Sequence, residues 1–228
     1  MTVIAGLEGT ELTGAGLCAA SAGLLSVDGA AIALLTGDGV PVATYRSDPS
    51  LQPIEDLQFV LGVGPALDAY RLRLAVAEPD LAGSALLRWP GLARLALDSG
   101  VRSVFALPLQ IGAARLGALT LYDGRPGALE GERLEDAQVL AGIVTRTLVA
   151  MQAGGAGDVL VAELSDGVLP PGEIDHAEVH QASGMVSVQL GIDVGDALAR
   201  LRARAFADGT TVRQVAVEVL ARRLRFYP

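Results

Sequence analysis

The chain has 228 residues, 51% of them apolar, with 17 basic residues (all Arg), 26 Asp plus Glu and a net charge of −9. That length gives one or two domains with a real core, and 19% charged residues beside this much Leu, Val and Ala excludes an intrinsically disordered chain. The longest uncharged stretch, Leu12 to Val27, is 16 residues interrupted by Gly and Ser, too short and too broken for a membrane span.

The first basic residue is Arg46, so no charged segment precedes an apolar core and no signal peptide is expected. The single Cys18 excludes an intrachain disulfide and a thiolate zinc cage, and fits a reducing, cytoplasmic setting. Without Lys there is no Walker-A lysine, no Schiff-base lysine and no kinase-type phosphate lysine. Asn is absent as well, which removes N-glycosylation sites.

In chain order, residues 11–26 carry Leu12, Leu17, Leu24 and Leu25 among Ala and Gly, a weak helix signal. Ala31–Thr36 and Pro41–Tyr45 flank Gly37-Asp38-Gly39 and predict a hairpin. Residues 51–70 predict helix, interrupted at Gly62 and Gly64-Pro65, and a short helix follows from Arg88-Trp89-Pro90 to Gly100. Ser103–Leu109 and Arg115–Tyr122, split by Gly112, predict a second hairpin. The clearest helix covers 131–152, where Leu134, Ala137, Leu140, Val144, Leu148 and Met151 recur at helical spacing, widened by Ile143 and Thr147. Such a stripe either covers one sheet face or also packs on a partner helix.

Residues 153–172, from Ala153-Gly154-Gly155 to Pro170-Pro171-Gly172, read as a linker between a first domain (1–152) and a second (173–228). The second domain predicts three helices. The first carries Ile174, Ala177, Ala182, Met185 and Val186 and stops at Gly191; the second is capped by Asp193 and closed by Asp208-Gly209. The third opens on the capping box Thr211-x-x-Gln214. Charge separates the two regions: residues 1–172 hold the whole −9, whereas 198–225 holds seven Arg against Asp208 and Glu218, an excess of +5.

Few residues point to chemistry. Cys18 lies in an apolar stretch with no activating charge nearby in sequence and reads as a core residue. His176 and His180 share a helix face, but no third ligand accompanies them, and no metal is expected. Gly14-Ala15-Gly16 and Gly62-Val63-Gly64 read as turns rather than phosphate loops. The arginines are the informative group: Arg200 and Arg204 lie four apart, Arg202 falls nearer the opposite side, and Arg213, Arg222, Arg223 and Arg225 follow. Guanidinium groups suit phosphate contact and stacking on unpaired bases.

Gly29–Leu35, Leu61–Ala69, Arg88-Trp89-Pro90 and Gly100–Leu109 together resemble a GAF domain of the actinobacterial kind. Gln181–Val186, Ala197–Ala205 and Val215-Ala216 resemble an ANTAR domain, a three-helix RNA-binding antiterminator module. The resemblance implies an α+β fold: a GAF-like antiparallel sheet with flanking helices, followed by a C-terminal three-helix ANTAR domain. It implies a homodimer in which the first domain senses a small molecule or mediates dimerisation and the second grips hairpins of nascent RNA to suppress termination. Many such modules carry Ala-Lys-Gly where this chain has Ala182-Ser183-Gly184, which places Ser183 among the expected RNA contacts with Arg200, Arg202, Arg204, Arg213 and Arg222. The competing expectation is a ligand-binding dimer whose helical tail makes protein contacts only. Enzymatic activity is not expected: one Cys cannot supply a catalytic and a resolving thiol, and the GAF-like part has no His for haem. No cofactor is expected, and no residue selects a ligand.

Overall fold

The computed structural model describes residues 13–37, 39–153 and 176–227. Most of the expected linker (154–172), with Asp38 and Ile174, lies outside them. The chain divides into two compact units, Met1–Glu173 and Ile174–Pro228.

Unit 1 is built on five strands: β1 (Gly29–Leu35), β2 (Pro41–Arg46), β3 (Val76–Glu78), β4 (Ser103–Ile111) and β5 (Ala114–Asp123). They lie in the order β2-β1-β5-β4-β3, with every neighbouring pair antiparallel. Both predicted hairpins are present. The second turns through Gly112, whose φ of +57° suits a residue without Cβ, and pairs Phe105 with Leu121 and Leu107 with Leu119. All seven residues of β1 are buried, because helices cover both faces of the sheet; that explains why its sequence runs apolar without alternation. At the centre, a Cβ on Gly117 would lie 1.9 Å from the carbonyl oxygen of Ala33, so β5 meets β1 at a point only glycine can occupy.

One face of the sheet presents Ile32, Leu34, Phe105, Leu107, Leu119 and Leu121 to α1 (Gly14–Leu25) and α6 (Glu132–Ala153). The α6 stripe is spent on this face: Ala137, Leu140, Ala141, Val144 and Leu148 are buried, whereas Leu134 stands at the margin and Val139 and Val149 are exposed. The other face presents Ala31, Ala33, Leu35, Val104, Ala106 and Tyr122 to α2 (Gln52–Leu61), α3 (Pro65–Leu72) and α5 (Pro90–Asp98), with the short α4 (Ala85–Arg88) beside them. The break between α2 and α3 has a physical cause. Gly62 ends α2 in the left-handed region, and Gly64, at φ +146°, leaves room for the Gln58 side chain where a Cβ would clash. Gln58 Oε1 then accepts from Ala66 N at 3.2 Å and serves the first turn of α3, which opens on Pro65.

Unit 2 consists of α7 (Ala177–Leu190), α8 (Val194–Asp208) and α9 (Val212–Leu220). Asp193 caps α8 by accepting from Asp196 N at 2.8 Å, and Thr211 with Gln214 forms a complete capping box on α9. Gly191 and Gly209 end α7 and α8 in the left-handed conformation. Val179, Val186, Leu198, Leu201, Val212, Val215 and Val219 form the core with four alanines. The small side chains bring the helices close but bury little area each. No helix among the described residues is long and apolar enough to cross a membrane.

Candidate functional site

In unit 1 a small set of polar groups is turned inward. Glu55 and Gln58, one turn apart on α2, both reach Tyr122 on β5. The Tyr122 hydroxyl donates to Glu55 Oε1 and accepts from Gln58 Nε2 at 3.2 Å. Burial, with the carboxylate of Glu55 alongside, holds the Tyr122 phenol well above its ordinary range. Beside this trio, Ile54, Pro65, Trp89, Leu92, Val104 and Tyr122 line a void of only about 10 Å³, room for one water and no ligand. The Arg88-Trp89-Pro90 sequence closes it: Trp89 Nε1 donates to Asp68 Oδ2 at 3.1 Å, Arg88 pairs with the same oxygen at 2.9 Å, and the Arg88 guanidinium stands 4.5 Å from the indole centre.

A cleft of about 280 Å³ opens on the far side of Ile54 and Tyr122, with Asp28, Asp48, Ser50, Ser99 and Asp123 at its mouth. Its carboxylates are committed to the backbone around them. Asp28 accepts from Gly124 N at 2.7 Å, Asp48 from Ser50 N at 2.7 Å and Asp123 from Arg125 N at 2.9 Å. The cleft lies just below the usual size of a small-molecule pocket, and Leu51, Ile54 and Val101 share its lining with the polar groups. Cys18 is fully buried, and desolvation raises its thiol pKa far above the usual range. Among the described residues no group of three His, Cys, Asp or Glu side chains could hold a metal ion.

Unit 2 faces its charges outward, and the arginines sort into two sets. Arg204 pairs with Asp208 at 2.6 Å, Arg213 with Glu178 at 2.9 Å and Arg223 with Glu218 at 2.7 Å. These three line an open groove of about 670 Å³ whose acids offset much of its positive charge. Arg200, Arg222 and Arg225 are exposed and make no ion pair among the described residues; Arg202 is half-buried. Ser183 falls elsewhere. It is 1% exposed, on the α7 face shared with Val179, Ala182 and Val186, and its hydroxyl donates to the Val179 carbonyl at 2.7 Å. The expected contact through Ser183 is therefore corrected: the side chain faces the helical core, and Val179-x-x-Ala182-Ser183-x-x-Val186 spacing already placed it there. What the sequence did not show was the Glu55–Gln58–Tyr122 trio, in which Tyr122 lies more than 60 residues from the other two.

Among solved structures, the chain is similar to the GAF domain of phosphoenolpyruvate-protein phosphotransferase from Acinetobacter, at 15% identity over 68% of this chain and 92% of that one, with a TM-score of 0.49. It is also similar to a GAF domain/HD domain protein from Geobacter sulfurreducens, at 16% identity over 65% of this chain and 98% of that one, with a TM-score of 0.45. The blue-light-absorbing form of the PixJ GAF domain from Thermosynechococcus elongatus gives 17% identity over 68% and 92%, with a TM-score of 0.45. No protein-family model and no curated protein matches the chain.

Proposed function

We propose that the chain is a signal-responsive regulator of transcription that binds hairpin RNA through unit 2 and promotes antitermination, with unit 1 a GAF-type sensory or dimerising domain. The observation that carries the reading is Arg200, Arg222 and Arg225, three exposed cations free of ion pairs among the described residues, in a chain whose net charge is −9. An acidic chain repels polyanions at a distance, so exposed cations without a paired acid among the described residues favour contact with phosphate at close range. The Gln181–Val186 and Ala197–Ala205 resemblance supports the ANTAR assignment, with Ser183 standing where many such modules carry Lys. The homodimer is tested by light scattering: a mass near 23.4 kDa at micromolar concentration would refute it.

The test of the RNA reading is binding of a tandem-hairpin RNA across a salt series. Each Arg–phosphate contact removed shallows the slope of log affinity against log salt by about 0.9 on duplex and about 0.7 on single strands. Arg200→Ala and Arg222→Ala are expected to do so while helicity is unchanged. A second reading, a dimer whose tail makes protein contacts only, draws on the neutralisation of Arg204, Arg213 and Arg223 by neighbouring acids. No retention of RNA at low salt would select it.

A further inference from the structure

We infer that Phe206 is a stacking platform for an unpaired RNA base, so that unit 2 reads a hairpin loop rather than its stem; the inference rests on the RNA reading above. Phe206 is 91% exposed in the last turns of α8, although the core of this small unit is built from Val, Leu and Ala. It stands on the helix face opposite Leu198, Leu201 and Ala205, at positions i, i+4, i+7 and i+8 with the exposed Ala199, Ala203 and Ala207. The alanines leave both sides of the ring open. Arg202, one turn earlier, borders this strip on one side, and Arg200, without an ion pair among the described residues, borders it on the other.

An exposed ring on a helix face of alanines that also presents the exposed Arg200, with Asp196 at its far N-terminal end, offers what single-stranded nucleic acid needs: a π surface for the base and charge for its phosphates. A second copy of the chain is a poorer occupant. A stable interface takes about 800 Å² from each partner, and a Phe side chain contributes about 200 Å² with only methyl groups around it.

The experiment uses the full chain with two RNAs: a hairpin carrying 2-aminopurine in its loop, and a blunt duplex of the same stem. The wild type is expected to prefer the hairpin and to quench the loop fluorophore. Phe206→Ala is expected to lose about tenfold or more on the hairpin, to lose the quenching and to keep its salt slope, because stacking neutralises no phosphate. Phe206→Trp is expected to restore both, and circular dichroism to be unchanged in either variant. If the wild type binds the hairpin and Phe206→Ala binds it equally well, or weakens on hairpin and duplex alike, the stacking role is overturned while the RNA reading stands. A drop in mass by light scattering for Phe206→Ala would make the residue a contact between copies and overturn it too. If the wild type ignores both RNAs at low salt, the RNA reading fails and carries the inference with it.

Discussion

The two units handle ionisable groups in opposite ways. Unit 1 takes three weakly acidic groups inside: Tyr122, Cys18 and the half-buried Tyr45 are all pushed upward by burial, so each is kept protonated. Unit 2 keeps them at the surface, where Glu178, Asp193 and Glu218 are pushed downward by hydrogen bonds to Arg213, to the α8 N-terminus and to Arg223. Asp48, held low by Ser50, is a surface exception in unit 1. An interior that depends on neutral groups loses stability at high pH, and a surface of paired carboxylates loses it at low pH.

The largest break comes at the sheet centre. Gly117→Ala puts a Cβ 1.9 Å from the Ala33 carbonyl oxygen, backbone that cannot swing away. Unit 1 is expected to lose its native packing, read as a red shift of Trp89, the only Trp of the chain and 2% exposed in the fold. Native emission from this variant would show that β1 and β5 can separate at no cost. Next come cavities. Leu140→Ala and Leu198→Ala each delete a fully buried side chain and are expected to cost about 2–5 kcal/mol. Leu140→Ala shifts the denaturant midpoint seen by Trp89, whereas Leu198→Ala shifts helical dichroism and leaves the Trp89 transition in place. A shift of the Trp89 transition in Leu198→Ala would make the units one cooperative body and erase the contrast.

Tyr122→Phe is a smaller perturbation that targets the buried polar trio. It removes the hydroxyl between Glu55 and Gln58 without opening a cavity, and is expected to cost about 1–3 kcal/mol. It also tests the pH sign. The folded pKa of Tyr122 is raised, so its stabilising contribution is complete below about 10, the unfolded value, and declines as pH rises further. In Tyr122→Phe that part of the alkaline decline should be absent. An unchanged alkaline limb would move the pH dependence to Cys18 and Tyr45.

Local pattern carried the elements well where spacing and physics coincide. Gly112, Gly191 and Gly209 sit where the chain needs φ above zero, and the Thr211–Gln214 box caps α9. The break at Gly62 and Gly64-Pro65 was visible, but its reason was not, because Gln58 fills the space only after α2 folds back. The three-residue β3 and the four-residue α4 are too short for any period to announce. The arginine surface was legible as charge, yet half its meaning lay in partners: Glu178 and Arg213 are 35 residues apart and meet only through the packing of α7 on α9. Ser183 shows the converse failure, a family position read as a contact although its own helical spacing buried it.

The smallest effect, and the sharpest on function, concerns that Glu178–Arg213 pair. Both side chains are exposed, 36% and 70%, so solvent and salt screen the attraction, and Arg213→Ala is expected to leave the helical unfolding midpoint almost unmoved at neutral pH. Arg213 holds the Glu178 carboxyl below its ordinary value. What little the pair contributes is therefore present above about pH 4.5 and fades as pH falls through the depressed folded pKa; Arg213→Ala should flatten only that acid limb. In binding, the same pair acts as a brake, because a guanidinium held by a carboxylate is less available to a phosphate. Glu178→Gln should free Arg213, tighten hairpin RNA modestly and steepen its salt slope, whereas Arg213→Ala should weaken and shallow it. A midpoint shift in Arg213→Ala as large as that of Leu198→Ala would assign the pair to holding the unit together, and unit 2 would then resemble unit 1 in spending its charge on structure.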